Sequence, residues 1–391
     1  MALDPDVFGQ LLDAIERFVR EKLRPNEALV GETDQVPPEI IEQMREMGLF
    51  GLAIPETYGG LELTLSEEIQ VSFLLGKTSP AFRSMIGTNN GIGSQGIIID
   101  GTEEQKTHYL PAMASGQLVG SFCLTEPEAG SDAGSLRTNA RRDGDSFIIN
   151  GTKRFITNAP VAGLFTVFAR TDPDSRTAAG ISAFLVDADL PGITLGKKDR
   201  KMGQQGAHTC DVIFDNVRVP QSAILGGPDF EGKGFVTAMK VLDRGRLTIA
   251  GVCVGVAERL IADCLDYALQ RRQFGKPIAE FQLVQAMLAD MKAESFAARC
   301  MVEETARRRD AGQSIGTEAA CAKMFCSEMV GRVADKAVQI FGGAGYVADS
   351  GIERFYRDVR LFRIYEGTTQ IQQLVIARNM IRDAKRLNGL S

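Results

Sequence analysis

The chain is poor in the residues that build metal and disulfide sites. It has only two histidines, at 108 and 208, which is too few for a convincing zinc or haem site. Its seven cysteines contain no Cys-x-x-Cys pair, and their scatter suits buried thiols in a reducing compartment better than disulfides. These scarcities set aside zinc and haem chemistry, and we predict no metal site.

Long apolar runs and an excess of positive charge are also missing. No apolar run approaches the roughly 20 residues that a membrane-crossing helix needs. The net charge is −6, whereas a dedicated nucleic-acid or anionic-membrane binder needs a basic surface. The N-terminus, MALDPDVFGQ, has acids where a secretory signal has a basic start. We expect no membrane insertion, no nucleic-acid binding, and a location in the bacterial cytoplasm or, after processing, the mitochondrial matrix.

The apolar pattern divides the chain into helical, β and helical parts. The 391 residues suit two or three packed units. Apolar side chains in residues 8–19 recur at helical spacing. Between Leu118 and about Pro220 the apolar runs become short, rich in β-formers and separated by turns, and helical spacing then returns. We predict a mainly helical α+β fold with a helical domain at 1–117, an antiparallel β domain at 118–225 and a helical domain at 226–391.

Residues 91–96 read GIGSQG, which matches the glycine spacing of dinucleotide-binding loops. Such a loop must follow a strand, open a helix and precede an acid about 20 residues later. The preceding AFRSMIGTNN is not a strand, and Gly116 stands where the acid should be. We interpret these glycines as small residues that let a helix pack closely or line a cavity. A nicotinamide-binding domain is not supported.

Several later segments combine polar, aromatic and glycine residues in a way that suits a bound cofactor. FCLTEPEAGSD at 122–132 and KRFITNAP at 153–160 offer hydroxyls, small residues and an aromatic ring to a planar polar group. RRQFGKPI at 271–278 offers arginines to a diphosphate and a phenylalanine to an aromatic contact. VQIFGGAGY at 338–346 and RIYEGTTQIQ at 363–372 are breaks where backbone amides and one carboxylate can meet a ligand. Each segment alone also fits an ordinary turn, core strand or solvated helix end.

In order and spacing these segments closely resemble the acyl-CoA dehydrogenase family of flavoproteins, over essentially the full length. The resemblance implies an N-terminal helical domain, a middle β-barrel and a C-terminal four-helix bundle. It implies noncovalent FAD and oxidation of an acyl-CoA thioester to a 2-enoyl-CoA. It also implies a homotetramer, a dimer of dimers, that passes electrons to an electron-transfer flavoprotein.

The resemblance assigns individual residues to the cofactor and the substrate. The positions that match FAD contacts are Phe122, Leu124, Thr125, Ser131, Phe155, Thr157, Arg271, Phe274, Gln282, Gln339, Gly343, Thr368 and Gln370. The positions that match the substrate side are Ser131, Asp243, Arg246, Tyr365, Gly367 and Arg378. Arg271 and Phe274 match positions that reach a neighbouring subunit's FAD. Phe155 departs from the tryptophan often found in the family, but it should still stack, with less area and without the indole N–H.

Glu366 matches the catalytic base of the family. A thioester α-proton is too weakly acidic for a solvated carboxylate to remove readily, so the base must be buried and donors must stabilise the developing enolate. In the family the base's own backbone N–H and a flavin ribityl hydroxyl are these donors, and flavin N5 accepts the β-hydride. Tyr365 would supply an apolar wall, and Gly367 would let the backbone come close. Some subfamilies carry the base at the position of Gly245, where glycine cannot serve.

These motifs do not indicate the chain length or the branching of the acyl group. One pair of residues gives an indication of the acyl tail. Arg83 and Ser84 match an Arg-Ser pair that glutaryl-CoA dehydrogenases use near the acyl tail. There the guanidinium holds a distal carboxylate in planar bidentate geometry. The alternative is a helix-start arginine that faces solvent or a nearby acid, and the segment around Glu366 looks more like those of straight-chain dehydrogenases.

Three classes of function therefore stay open within this fold. The first is a dehydrogenase for a short-chain acyl-CoA. The second is an enzyme for a short acyl-CoA with an anionic tail, which could also decarboxylate or desulfinate, or an oxidase that uses O₂ directly. The third is a non-enzymatic, FAD-containing relative that binds nucleic acid, which the acidic balance of the chain disfavours.

Overall fold

The computed structural model describes residues 3–175 and 177–389, and its first third is helical. Asp4 caps the first helix by accepting from backbone N–H groups, and Pro5 stands at the first helical position. Apolar side chains on one face of this helix join an N-terminal core. The helices are α1 Pro5–Phe18, α2 Glu27–Thr33, α3 Pro38–Glu46, α4 Leu65–Gly76, α5 Pro80–Asn90, α6 Gln95–Asp100 and α7 Glu103–Ala114.

Seven strands then form one sheet between the two helical parts. They are β1 Gly120–Cys123, β2 Asn139–Asp143, β3 Ser146–Thr157, β4 Leu164–Arg170, β5 Ile181–Asp187, β6 Ile193–Leu195 and β7 Thr209–Pro220. The strand order is β1-β4-β2-β3-β7-β6, and β5 pairs with β4, which makes a half-barrel. Phenylalanines on the inward face, including Phe147 and Phe184, pack ring against ring in its core.

The predicted β domain is confirmed, but its strands are not purely antiparallel. β4 runs parallel to β1 and to β2, whereas the other pairs are antiparallel. Parallel neighbours need a long crossover connection. The hairpin β2–β3 lies between β1 and β4 in the chain and forms that crossover connection. Apolar alternation within each strand does not show which strands pair in parallel, so the sequence did not predict this arrangement.

The last third is helical again, as predicted. Helix α8 Gly234–Gln270 packs against the two long helices that follow it, and the C-terminal helix packs against the second of these. A two-stranded hairpin and two short helices lie between these elements in the chain. The remaining elements are β8 Arg272–Gln273, β9 Lys276–Pro277, α9 Gln282–Asp310, α10 Gly316–Phe341, α11 Gly343–Tyr346, α12 Ile352–Val359 and α13 Thr369–Leu387. In the described ranges, no helix is both long and apolar enough to span a bilayer.

Helix α4 contributes to the C-terminal core as well as to the N-terminal core, although it comes early in the chain. Its residues Leu65, Ile69 and Phe73 are buried in the same cluster as the apolar face of α8. The two helices approach closely because glycines face each other: a Cβ on Gly255 would lie 2.2 Å from the Phe73 carbonyl oxygen. This crossing joins the N-terminal helices to the bundle and brings α5 beside α8.

Candidate active site

Two cavities meet between the sheet, α5, α8 and the loop before α13. The larger has a volume of about 540 Å³ and the smaller about 60 Å³. Ile92, Thr157, Tyr365 and Glu366 line both of them. These four residues therefore stand where the two cavities join.

The larger cavity brings together the predicted cofactor residues of the β domain. β1 and the loop after it contribute residues from FCLTEPEAGSD, and the end of β3 contributes residues from KRFITNAP. The lining includes Phe122, Leu124, Thr125, Ser131, Phe155 and Thr157. Aromatic faces and hydroxyls thus line one concave surface, as a planar polar ligand requires.

Phe155 reaches this cavity through an irregularity in β3. The register of β3 against β7 shifts between Lys153 and Ile156, and Phe155 has a left-handed φ of 58°. A bulge of this kind re-aims a side chain, and a non-glycine residue in the left-handed region is strained. Phe155 remains 58% exposed in the single chain, so its ring is available to a ligand.

A buried ion pair holds the two cofactor segments of the sheet together. Lys153 Nζ donates to the Glu126 carboxylate at 2.8 Å and to the Leu124 carbonyl at 3.2 Å. Glu126 also accepts from the backbone N–H groups of Arg137 and Thr138. Burial raises the pKa of Glu126, but Lys153 and these hydrogen bonds outweigh it and hold the pKa below its usual range.

Glu366 lies in a tight turn just before α13. Its φ is 55° and that of Gly367 is 84°, so two consecutive residues are left-handed. Such strain in a non-glycine residue persists where the surroundings over-determine it, and it is concentrated at functional sites. Glu366 Oε2 is buried and has no hydrogen-bond partner among the described residues. A Cβ on Gly245 would lie 2.9 Å from that oxygen, so the carboxylate packs directly against α8.

The surroundings of Glu366 favour its protonated form. Burial raises the pKa of its carboxyl above the usual range, and the positive charges of Arg83, Arg246 and Lys323 oppose that rise. Tyr365 packs beside it, and burial raises the pKa of the Tyr365 hydroxyl as well. A carboxylate that is poorly solvated is a stronger base than one in water.

The backbone of the Glu366 turn is held by side chains that sequence reasoning missed. Gln372 Nε2 donates to the Glu366 carbonyl at 2.9 Å and to the Gly367 carbonyl at 3.1 Å. Lys323 Nζ donates to the Gly367 carbonyl at 2.6 Å. The Glu366 N–H donates to no other residue within 3–175 and 177–389, which leaves it free for a ligand oxygen.

One of these missed residues carried a signal in the sequence. Lys323 stands on α10 among buried Ala319, Ala322 and Cys326, so a lone cation interrupts an apolar helix face. Gln372 offered no comparable signal, because a glutamine near the start of a helix is ordinary.

Of three further predicted substrate residues, two line the larger cavity and the third supports one of them. Arg246 is buried, lines the larger cavity and donates to Asp243 at 2.5 Å. Arg378 is exposed and lines the same cavity. Asp243 does not line it and instead supports Arg246; burial raises the pKa of Asp243, against the charges of Arg246 and Arg309.

Arg83 and Ser84 line the smaller cavity. Arg83 Nη2 donates to Thr248 Oγ1 at 3.2 Å, and no carboxylate of the described residues lies within ion-pair distance of it. A Cβ on Gly87 would lie 2.8 Å from Arg83 Nη1, so this glycine makes room for the guanidinium. The structure therefore holds an arginine without an acidic partner at the end of the cavity beside Glu366.

The remaining predicted cofactor residues lie outside both cavities of the single chain. Thr368 caps α13 by accepting from the Ile371 N–H at 3.2 Å, and Gln370 is exposed on the first turn of that helix. The others are exposed at helix ends and on the β8–β9 hairpin: Arg271, Phe274, Gln282, Gln339 and Gly343. Contact of these residues with FAD stays a prediction.

Three models of the acyl-CoA dehydrogenase family match successive parts of the chain. The N-terminal domain matches residues 8–117, the middle domain residues 121–217 and the C-terminal domain residues 232–381.

Similar proteins of known name cover nearly the whole chain. An acyl-CoA dehydrogenase of Bacillus subtilis is 41% identical, over 94% of this chain and 96% of its own length. A 3-(aryl)acrylate reductase of Clostridium sporogenes is 40% identical, over 93% and 96%. The CarC subunit of a caffeyl-CoA reductase–Etf complex of Acetobacterium woodii is 38% identical, over 96% and 98%.

Solved structures agree with these similarities. Butyryl-CoA dehydrogenase of Megasphaera elsdenii superposes with a TM-score of 0.92 at 35% identity, covering 97% of this chain and all of that one. A chain from the electron transferring flavoprotein structure of Acidaminococcus fermentans has a TM-score of 0.92 at 37% identity and covers 98% of this chain and all of that one.

Proposed function

Because the chain belongs to the acyl-CoA dehydrogenase family, we propose that it interconverts a short acyl-CoA and its 2-enoyl-CoA, with Glu366 as the catalytic base. The chain is an oxidoreductase and a flavoprotein by that membership. The observation that carries the assignment of the base is the Glu366 carboxylate at the junction of the two cavities, where one of its oxygens is buried and has no hydrogen-bond partner in the described part of the chain. Two of the similar proteins are named reductases, so the physiological direction is part of the proposal.

The residues of the larger cavity fit FAD. Phe155 offers a ring face for stacking, while Thr125, Ser131 and Thr157 offer hydroxyls to polar ring atoms. The cavity volume of about 540 Å³ lies within the range of small-molecule sites. FAD, when bound there, supplies the acceptor for the hydride that leaves the β-carbon.

The chain's own residues perform the proton chemistry in this proposal. The Glu366 carboxylate takes the α-proton of the thioester, and its raised pKa strengthens it as a base. The free N–H of Glu366 donates to the thioester oxygen and stabilises the negative charge that develops there. Tyr365 covers the carboxylate and keeps water from solvating it.

The smaller cavity supports a short acyl group. Its volume is about 60 Å³, against about 540 Å³ for the larger cavity. A long tail would also have to bury the Arg83 charge without a partner, which costs free energy. Both observations favour a tail of a few atoms beyond the reacting carbons.

A second candidate substrate is a short acyl-CoA with an anionic tail. Arg83 lines the smaller cavity without an acidic partner among residues 3–175 and 177–389, and a carboxylate or sulfinate would supply one. Decarboxylation or desulfination could then accompany dehydrogenation. The conservative variant Arg83→Lys and the neutral variant Arg83→Met separate this candidate from the first, since only an anionic tail needs the charge.

The experiment is an anaerobic titration of the purified holoprotein with butyryl-, isobutyryl-, octanoyl- and glutaryl-CoA, followed by the visible absorbance of the flavin. Bleaching by butyryl-CoA supports the first candidate. Bleaching by glutaryl-CoA alone, weakened in Arg83→Met, supports the second. Strong bleaching by octanoyl-CoA contradicts a short substrate, and no bleaching by any of them contradicts the proposed reaction in the oxidative direction; 2-enoyl-CoA with chemically reduced protein then tests the reverse.

Partners and assembly belong to the same proposal. We propose an electron-transfer flavoprotein as redox partner, in keeping with the Etf complex that contains the similar CarC subunit. We also propose a homotetramer of chains with domains at 1–117, 118–225 and 226–391. The cytoplasmic location expected from the sequence stays a prediction.

A further inference from the structure

Lys323 is a fully buried lysine beside the proposed base. It lies on α10 and is 0% exposed, among alanine, cysteine and methionine side chains of the bundle core. Lysine is almost never fully buried unless its charge is paired, because leaving water costs the ammonium group several kcal/mol. An apolar side chain of similar length would fill this space at no such cost. The lysine therefore needs a reason connected with its charge or its hydrogen bonds.

The ammonium group donates to a single acceptor in the described ranges, the Gly367 carbonyl oxygen, at 2.6 Å. That carbonyl follows directly on Glu366, in the turn where both residues are left-handed. Gln372 Nε2 donates to the same carbonyl and to that of Glu366. A charged donor that is buried and bound to a carbonyl makes a strong hydrogen bond. The turn is thus held from α10 as well as from α13.

Three positive charges surround the Glu366 carboxylate and stabilise its ionised form. Glu366 faces Arg83 from α5, Arg246 from α8 and Lys323 from α10, with the Tyr365 hydroxyl on its own loop. Of the three cations, Lys323 is the one that also holds the backbone of the turn.

Among the described residues, the titratable groups that act most strongly on Lys323 are Cys253 and Arg246 on α8, Glu328 on α10 and Glu366. Burial lowers the pKa of Lys323 to about 8, so the group is still cationic in the acid range where the base titrates.

We propose that Lys323 is a positioning residue for Glu366: it clamps the Gly367 carbonyl, keeps the turn left-handed and stabilises the Glu366 carboxylate by charge. The catalytic part of this inference rests on the proposed function, because Lys323 can affect activity through Glu366 only if Glu366 is the base. The clamp itself is a statement about the protein's structure and can be tested without substrate.

Two variants of Lys323 and one control separate its hydrogen bond to the Gly367 carbonyl from the effect of its charge. Lys323→Met removes both the donor and the charge while keeping the length of the side chain. Lys323→Gln removes the charge but keeps a polar group. It is the variant to measure if Lys323→Met does not fold. Lys336→Met is the matched control, because it makes the same chemical change on the same helix, where the lysine pairs with Asp290 on α9.

The first measurement is hydrogen exchange by mass spectrometry on the holoproteins without substrate. We expect amide exchange in peptides covering 363–372 to become about tenfold faster in Lys323→Met and to stay unchanged in Lys336→Met. The second is the pH profile of kcat/KM with the acyl-CoA that bleaches the wild type. Loss of the Lys323 charge should move its acid limb to higher pH by about one unit in both Lys323 variants.

The outcomes are decisive in each case. Faster exchange in 363–372 together with a shifted acid limb supports the proposal. Unchanged exchange in a folded Lys323→Met protein, or an acid limb that stays in place in Lys323→Gln, overturns it. If the wild type is not reduced by any acyl-CoA, the proposed function fails, and the exchange data still decide whether Lys323 clamps the turn.

Discussion

At the scale of single residues, Glu366 combines a left-handed backbone, a raised pKa and a buried oxygen that no residue of 3–175 or 177–389 hydrogen-bonds. Glu366→Gln keeps the shape of the side chain but cannot accept the α-proton. We expect kcat to fall by at least about 10²-fold, because general bases contribute about that much, while FAD stays bound. Stopped-flow reduction of the flavin under anaerobic conditions measures the effect. Asp335→Asn, on an exposed face of α10, is the control, and equal rates in both variants would remove Glu366 from the mechanism.

The raised pKa of Glu366 also determines the sign of the pH dependence. The base works only when deprotonated, so activity falls as the pH drops through its pKa in the folded protein. Because burial raises that pKa above 4.5, the acid limb of kcat/KM should lie above pH 4.5, and it should be absent from the residual activity of Glu366→Gln. A wild-type profile that stays flat down to pH 4.5 would contradict the burial argument. A steady-state series in buffers of constant ionic strength provides the measurement.

The residue scale also shows what the sequence could and could not predict. The motif around Glu366 predicted a carboxylate that the structure places where the two cavities join, and FCLTEPEAGSD and KRFITNAP predicted residues that line the larger cavity. The role of Glu366 as the base stays a prediction. The supports of the base were not predicted, since Lys323 is 43 residues away in the chain and its role depends on a contact between α10 and the turn. Local sequence patterns indicate the chemistry that a side chain can perform, whereas its hydrogen-bond partners depend on contacts between distant segments of the fold.

At the scale of elements, the crossing of α4 and α8 depends on glycine. A Cβ on Gly255 would lie 2.2 Å from the Phe73 carbonyl oxygen and 2.8 Å from the Gly76 Cα, both backbone atoms. Gly255→Ala should therefore push the helices apart and destabilise the protein by about 1–3 kcal/mol, as overpacking does. Gly9→Ala on α1 meets nothing within 4 Å and should be neutral or stabilise by up to about 1 kcal/mol. Thermal melts of the two holoproteins give the comparison, and equal melting temperatures would contradict close packing at this crossing.

Element order followed from the sequence more readily than element pairing did. Apolar periodicity is local, so the change from helical to β spacing near Leu118 and back after Pro220 could be read directly. The parallel pairing of β4 with β1, and the membership of α4 in the C-terminal core, arise from contacts between distant segments. The apolar residues of 65–76 indicate a helix that is buried on more than one side, but their spacing does not show that one side joins the C-terminal core and another the N-terminal core.

At the scale of the whole molecule, the C-terminal bundle exposes large apolar side chains. Phe274 at the tip of the β8–β9 hairpin is 93% exposed with a φ of 50°, and Leu283 and Tyr346 are each 82% exposed. Single exposed apolar residues are ordinary, but strain in a non-glycine residue is concentrated at functional sites, and the resemblance assigns Phe274 to a neighbouring subunit's FAD. The predicted cofactor residues Arg271 and Gln282 flank the same hairpin.

Phe274→Ser tests whether a second subunit completes the FAD site. Burying a phenylalanine contributes about 1.5–3 kcal/mol, so its loss should weaken self-association and lower the flavin content per chain together. Val7→Ser, which alters an exposed apolar residue on α1, is the control and should change neither property. Sedimentation velocity gives the size of the assembly and the ratio of visible to ultraviolet absorbance gives the flavin content. If Phe274→Ser keeps the wild-type assembly size and full flavin content, the FAD site is formed by a single chain. If both decrease together, the hairpin contributes to the active site of the neighbouring subunit.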